Sequence, residues 1–190
     1  GSYSCSITVF VAGNGSQSET DVVTGAGVDV TGNPVSDTDD ATVSVVDLPS
    51  AIEIVKTASP DVVLEPGGPV NFTFLINNLS AADTVVIDTL VDTIYGDLDG
   101  LGTCSVPQSI PPGGSYACSF SAQVTGMAGD SETNVVTASG EDDDGNPVND
   151  SDSATVTIAD VPSAIQVTKS ASPDVVTEPG GSVSFSFVVQ

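Results

Sequence analysis

Hydrophobic and polar residues alternate in short runs along this chain. In VNFTFLIN, residues 70–77, Val70, Phe72, Phe74 and Ile76 occupy every second position. That period puts them on one face of a β-strand and the intervening side chains on the other. Strands are predicted on the same grounds over Ile52–Lys56, Val70–Asn77, Thr84–Asp92, Ser115–Val124, Thr133–Ser139 and Ala154–Ala159. Gly- and Pro-rich turns separate them at 66–68 and 111–114, and Asp-Asp-Gly-Asn at 143–146 reads as a hairpin tip. No stretch carries apolar residues at helical spacing without a Gly, Pro or turn cluster inside it. Val and Thr, stiff at χ1, are abundant and suit a pleated sheet. The chain reads as all-β, a sandwich of about seven short strands per unit.

A repeat sets the organisation. Residues 1–77 align with 114–190 at a constant offset of 113 and without a gap, and 43 of the 77 pairs are identical. SETDVVTGAG matches SETNVVTASG, and GNPVSDTDDATV matches GNPVNDSDSATV. A period this long is a whole domain rather than a solenoid turn. The Pro-containing break before Ala51 and Ala164 sets the phase. Residues 1–50 then form the C-terminal part of one unit, 51–163 a complete unit, and 164–190 the opening strands of a third. Gly1-Ser2 equals Gly114-Ser115, so it reads as native sequence and the chain as a window on a longer array.

The motifs KTASP (56–60), EPGGPVNFTF (65–74), YGDLDGLGTC (95–104), PPGGSYACSF (111–120) and DDDGNPV (142–148) resemble the bacterial Ig-like conserved-repeat domain. The resemblance covers the whole chain. It implies tandem Ig-like antiparallel sandwiches in a very large secreted or surface-anchored protein, with a structural or adhesive role.

The cysteines fit that reading. Cys5 is the counterpart of Cys118, and the counterpart of Cys104 would precede residue 1. A Cys104–Cys118 disulfide is expected, with Cys5 pairing outside this window. Such a staple on a short Pro/Gly-rich loop contributes about 3 kcal/mol and belongs to an oxidising compartment. Two buried free thiols are the alternative.

Charge narrows the partners. Two Lys, no Arg and no His stand against 26 acids, a net charge of −24. Nucleic acid needs cations and is excluded as a partner. Anionic membrane surfaces are disfavoured, and no apolar run is long enough for a membrane helix.

The acids crowd at a hairpin tip. Asp142, Asp144 and Asn146 have the first spacings of an EF-hand, but Pro147 replaces the required Gly and Ser153 the required Glu. Asp142, Asn146, Asp150 and Asp152 recur as Asp29, Asn33, Asp37 and Asp39, whereas Glu141, Asp143 and Asp144 are replaced by Val28, Val30 and Thr31. A ligand set shared by the units would use the first group, and hard oxygen donors suit Ca²⁺. Asp92, Asp97 and Asp99 are a second candidate, and the linker acids Asp47 and Asp160 a third. The alternative is that the acids are solvated turn formers.

Lys56 and Lys169 are equivalent, one per unit. Each is expected in an ordinary ion pair, with its stem buried at a domain junction, or in an intramolecular isopeptide bond to an Asn or Asp such as Asn134, as in some bacterial Ig-like adhesins. Asn14, Asn71, Asn78 and Asn149 open glycosylation triplets that chance supplies readily in so Ser/Thr-rich a chain.

Catalysis is not expected. Without His there is no His-based triad, and three Tyr without Trp give little platform for a glycosidase cleft. The expected function is structural: a stalk, spacer or filament-building segment of an extracellular fibre. Its partners are neighbouring repeats or copies of itself, including strand addition of 164–190 onto 1–50 of another copy. The alternative is a calcium-dependent adhesin that binds a glycan or a neighbouring cell through Tyr95 and the 92–102 loop.

Overall fold

Residues 52–59 show how alternation becomes structure. Ile52, Ile54 and Lys56 are buried, while Glu53, Val55 and Thr57 face solvent. A computed structural model describes residues 1–190 as strands and connections with no helix. A hairpin of β1 (Ser18–Val28) and β2 (Pro34–Ser44) comes first. The complete repeat holds β3 (Ile52–Ser59), β4 (Val62–Leu64), β5 (Gly67–Asn78), β6 (Val85–Asp92), β7 (Gly96–Asp97), β8 (Gln108–Ile110), β9 (Ser115–Thr125), β10 (Ser131–Asp142) and β11 (Pro147–Ala159). A second hairpin, β12 (Val167–Ser172) with β13 (Ser184–Val189), closes the chain.

The complete repeat is built from two sheets. One has the order β3-β5-β9, antiparallel throughout. The other has the order β4-β11-β10-β6-β7, with β8 also paired to β6. Its pairs are antiparallel except β4 with β11, which run parallel. Between the sheets, Phe72, Phe74 and Ile76 meet Ile87, Leu90, Val136 and Val156, all fully buried. Each contributes about 1.5–3 kcal/mol relative to an exposed side chain. Phe72, Phe120 and Tyr95 pack with ring centroids 5.0 to 5.6 Å apart.

A bulge at Ser139/Gly140 shifts the register of β10 on β6. A Cβ at position 140 would collide with the carbonyl oxygen of Val86, so the close strand approach requires Gly there.

The predicted strands are all present, and several are longer. The last hairpin extends to Asp142 and restarts at Pro147, so its turn is Asp143–Asn146, with Gly145 at φ +83°. β4, β7 and β8 were not predicted. At two or three residues each, they are too short to show a period.

The segments that flank residues 51–163 differ from their counterparts within it. Residues 1–10, aligned with β9, form no strand here. Phe185 and Phe187 match Phe72 and Phe74, yet they are 54 and 63 % exposed against 0 and 1 %. The flanking segments form one two-stranded hairpin each, β1–β2 and β12–β13.

Candidate functional site

The most unusual group in the complete repeat lies inside it. Lys56, on the inward face of β3, forms a salt bridge with Asp92 at the end of β6, and neither side chain has exposed surface. The Asp92 carboxylate is fixed by the N–H groups of Ile94 and Tyr95, which donate to Oδ1 at 2.9 and 3.1 Å. Lys56 Nζ lies 5.4 and 5.6 Å from the ring centroids of Phe72 and Phe74, where the π-faces favour a cation.

Asn134 belongs to the same region. In the β10–β6 register Asp92 stands opposite Val136, and Asn134 is two residues along on the same inward face. Asn134 is 1 % exposed. Its Nδ2 is 3.5 Å from Glu132 Oε1, and its Oδ1 has no hydrogen-bond partner. A buried acceptor without a donor costs about 1–3 kcal/mol, so this one calls for an explanation. Glu132 also accepts the Tyr95 hydroxyl at 2.8 Å. Burial first, and the Glu132 carboxylate second, push the Tyr95 phenol above its ordinary range. Its ring is half-buried among Phe72 and Phe120, which leaves no open aromatic platform.

The hairpin acids divide into two kinds. Asp150 and Asp152 project from β11 toward β3, and their Oδ2 atoms accept the N–H groups of Ile54 and Lys56 at 2.8 and 2.7 Å. Asp142 and Asn146 close the tip. Asp142 Oδ1 accepts the N–H of Asn146 at 2.8 Å and of Asp144 at 3.1 Å, and Oδ2 faces Asn146 Nδ2 at 3.2 Å. Burial opposes ionisation of Asp142, but these donors outweigh it and hold the carboxyl below the usual range. Asp29 is held low by Thr31 and Asn33 in the same way at the first hairpin, and Asp37 and Asp39 lie exposed on β2. Tip and clamp acids thus serve backbone donors separately and are not gathered into one ligand set.

The second candidate set is also divided. Asp92 is in the core, Asp97 accepts the N–H of Asp99 at 3.1 Å, and Asp99 accepts that of Val106 at 3.0 Å. Asp160 is exposed and lies beside Glu65, whose carboxyl is held low by the N–H groups of Ala128 and Val161.

Three other acids do converge. Asp47, Asp83 and Asp144 bring carboxylate oxygens within 4.8 Å of one another where the linker meets the hairpin tip. Asp83 is buried and accepts Ser50 Oγ at 2.7 Å and Ser80 Oγ at 3.1 Å. Asn146 Nδ2 donates to Asp47 Oδ2 at 3.0 Å. Burial first, then the charges of Asp47 and Asp143, push Asp144 above the ordinary carboxylate range. An all-oxygen anionic set fits Ca²⁺, with water completing the six to eight oxygens that ion takes. The linker position of Asp47 and the crowded hairpin tip that holds Asp144 were the signals in the sequence; the 78–83 loop that supplies Asp83 gave none.

Cys104 and Cys118 are disulfide-bonded and buried, tying the loop before β8 to β9, and Cys5 is free and exposed. Asn78 is buried, and its amide nitrogen faces the carbonyls of Asp83, Ile110 and Pro111 at 2.8, 3.0 and 3.2 Å, so this triplet is structural. No protein-family model matches the chain, and no curated protein matches it.

Proposed function

We propose that the chain is a segment of an array of tandem Ig-like sandwich domains, acting outside the cell as a stalk, spacer or filament-building unit. The strand order supports the Ig-like reading, with β3-β5-β9 facing β4-β11-β10-β6 and the opening segment switching sheets to pair with the last strand. One observation carries the mechanical reading. β4, near the start of the repeat, and β11, its last strand, are hydrogen-bonded in parallel, Val62 to Thr157 through Leu64 to Ala159. Tension applied at the two ends of the repeat then pulls these strands past each other. Their bonds are loaded together in shear instead of opening one at a time. The disulfide suits an oxidising, extracellular setting.

Calcium at Asp47, Asp83 and Asp144 would stiffen the joint between repeats, and it is the ion we assign to that cluster. Pulling single molecules of the full chain from its two ends, and separately from anchors across the β10–β11 turn, tests the reading. Terminal pulling is expected to need the higher force; equal forces would sink the mechanical proposal.

A further inference from the structure

We propose that Lys56 Nζ and Asn134 Cγ are joined by an intramolecular amide bond, formed without an external catalyst and with Asp92 as the proton carrier. Three observations converge on this. Lys56 and Asp92 are in contact without solvent access. Asn134 shares their interior, two residues from the register partner of Asp92. Its Oδ1 is buried with no donor. An ordinary buried ion pair explains the first observation and leaves the third unexplained.

The chemistry balances with the groups present. The Lys56 ammonium passes one proton to the Asp92 carboxylate, giving a neutral amine and a carboxylic acid. The Nζ lone pair attacks Asn134 Cγ while the Asp92 acid donates a hydrogen bond to Oδ1, which carries the developing negative charge. Asp92 moves a proton from Nζ to Nδ2. The Cγ–Nδ2 bond breaks and ammonia leaves, so nothing is oxidised or reduced. In the product, protonated Asp92 donates to the new amide oxygen, the atom that otherwise lacks a partner. The apolar surround of Phe72 and Phe74 keeps water from competing as nucleophile. The counterpart of Asn134 in the first partial repeat is Asp21, a carboxyl where the same condensation would release water instead.

Intact mass of the full chain, reduced and denatured, tests the bond. The expected mass is one ammonia below that of the sequence, because only one lysine has its complete set of partners. A Lys-directed protease acting on the denatured chain should cut after Lys169 and leave Lys56 uncut. Fragmentation of an acid-directed digest should yield one branched peptide linking Lys56 to Asn134. Asp92→Asn and Asn134→Ala are expected to restore the full mass. The wild-type peptide map decides the matter even if those variants fold poorly. Full mass in the wild type overturns the proposal. So does loss of water with a Lys56–Asp92 branch, or loss of ammonia without any branch, as backbone cyclisation at Asn14-Gly15 gives. None of these readouts depends on a mechanical role.

Discussion

The backbone N–H of Lys56 donates to Asp152 Oδ2 at 2.7 Å, across the opening between the two sheets. Ile54 and Asp150 repeat the contact at 2.8 Å. β3 is the edge of its sheet and pairs only with β5, so every second N–H on its free side lacks a strand partner. Two carboxylates spaced two residues apart on β11 have the same period and cap two of those donors. The bonds are charge-assisted, and a capped edge no longer templates another strand.

Removing either clamp leaves a part-buried N–H unpaired. Asp150→Ala and Asp152→Ala are each expected to cost about 1–3 kcal/mol in guanidinium unfolding. Asp143→Ala, at the exposed tip, should change little. If all three variants unfold alike, the clamp is not a stabilising feature.

Reduction of Cys104–Cys118 is expected to lower stability by about 3 kcal/mol, by releasing a short loop in the unfolded chain. Paired unfolding curves with and without reductant measure this. Cys5→Ser, at an exposed free thiol, should leave both curves in place.

Millimolar CaCl₂ is expected to raise the melting temperature of the full chain, against EDTA and against equal MgCl₂. Asp83→Asn should abolish the rise and Asp150→Asn should not, since Asp150 lies outside the converging acids. No calcium response in the wild type would leave Asp47, Asp83 and Asp144 as hydrogen-bonded acids that hold no ion.

The two tip carboxyls make opposite contributions with pH. Asp142 is held below its ordinary value of 3.8, so its stabilisation is present above that pH and is lost as the pH falls through the lowered value. The melting-temperature deficit of Asp142→Ala should therefore shrink in acid. Asp144 is raised, so its ionised form destabilises at neutral pH and protonation relieves this. Asp144→Asn should melt higher than wild type at pH 7, with the gain fading in acid. A gain independent of pH would point to a cause other than charge.

Much of the fold was legible because alternation and repetition are local or periodic signals. Val70, Phe72, Phe74 and Ile76 declared their face, and the 113-residue offset declared the unit. The spacing of Asp150 and Asp152 also showed that both side chains point one way. It did not show their target, because Ile54 and Lys56 lie 96 residues away in sequence. They read as metal ligands for want of a visible donor. Lys56 posed the same difficulty: with so many acids per lysine, sequence spacing cannot select Asp92, and only the register of β6 against β10 brings Asn134 into the same interior. The converging acids come from a linker, a loop and a hairpin tip, three segments with no common period.

Burial of Lys56 has a consequence for everything outside the repeat. It is the only cation in residues 51–163, and it is 4 % exposed. To solvent each complete repeat is therefore a polyanion with no outward positive charge, and it travels with its own cloud of counterions. Repeats placed in series would repel through that cloud over about 8 Å at physiological ionic strength and about 30 Å at about 0.01 M. An array of them would straighten and swell in fresh water and relax in brine, and parallel arrays would keep a hydrated gap between them.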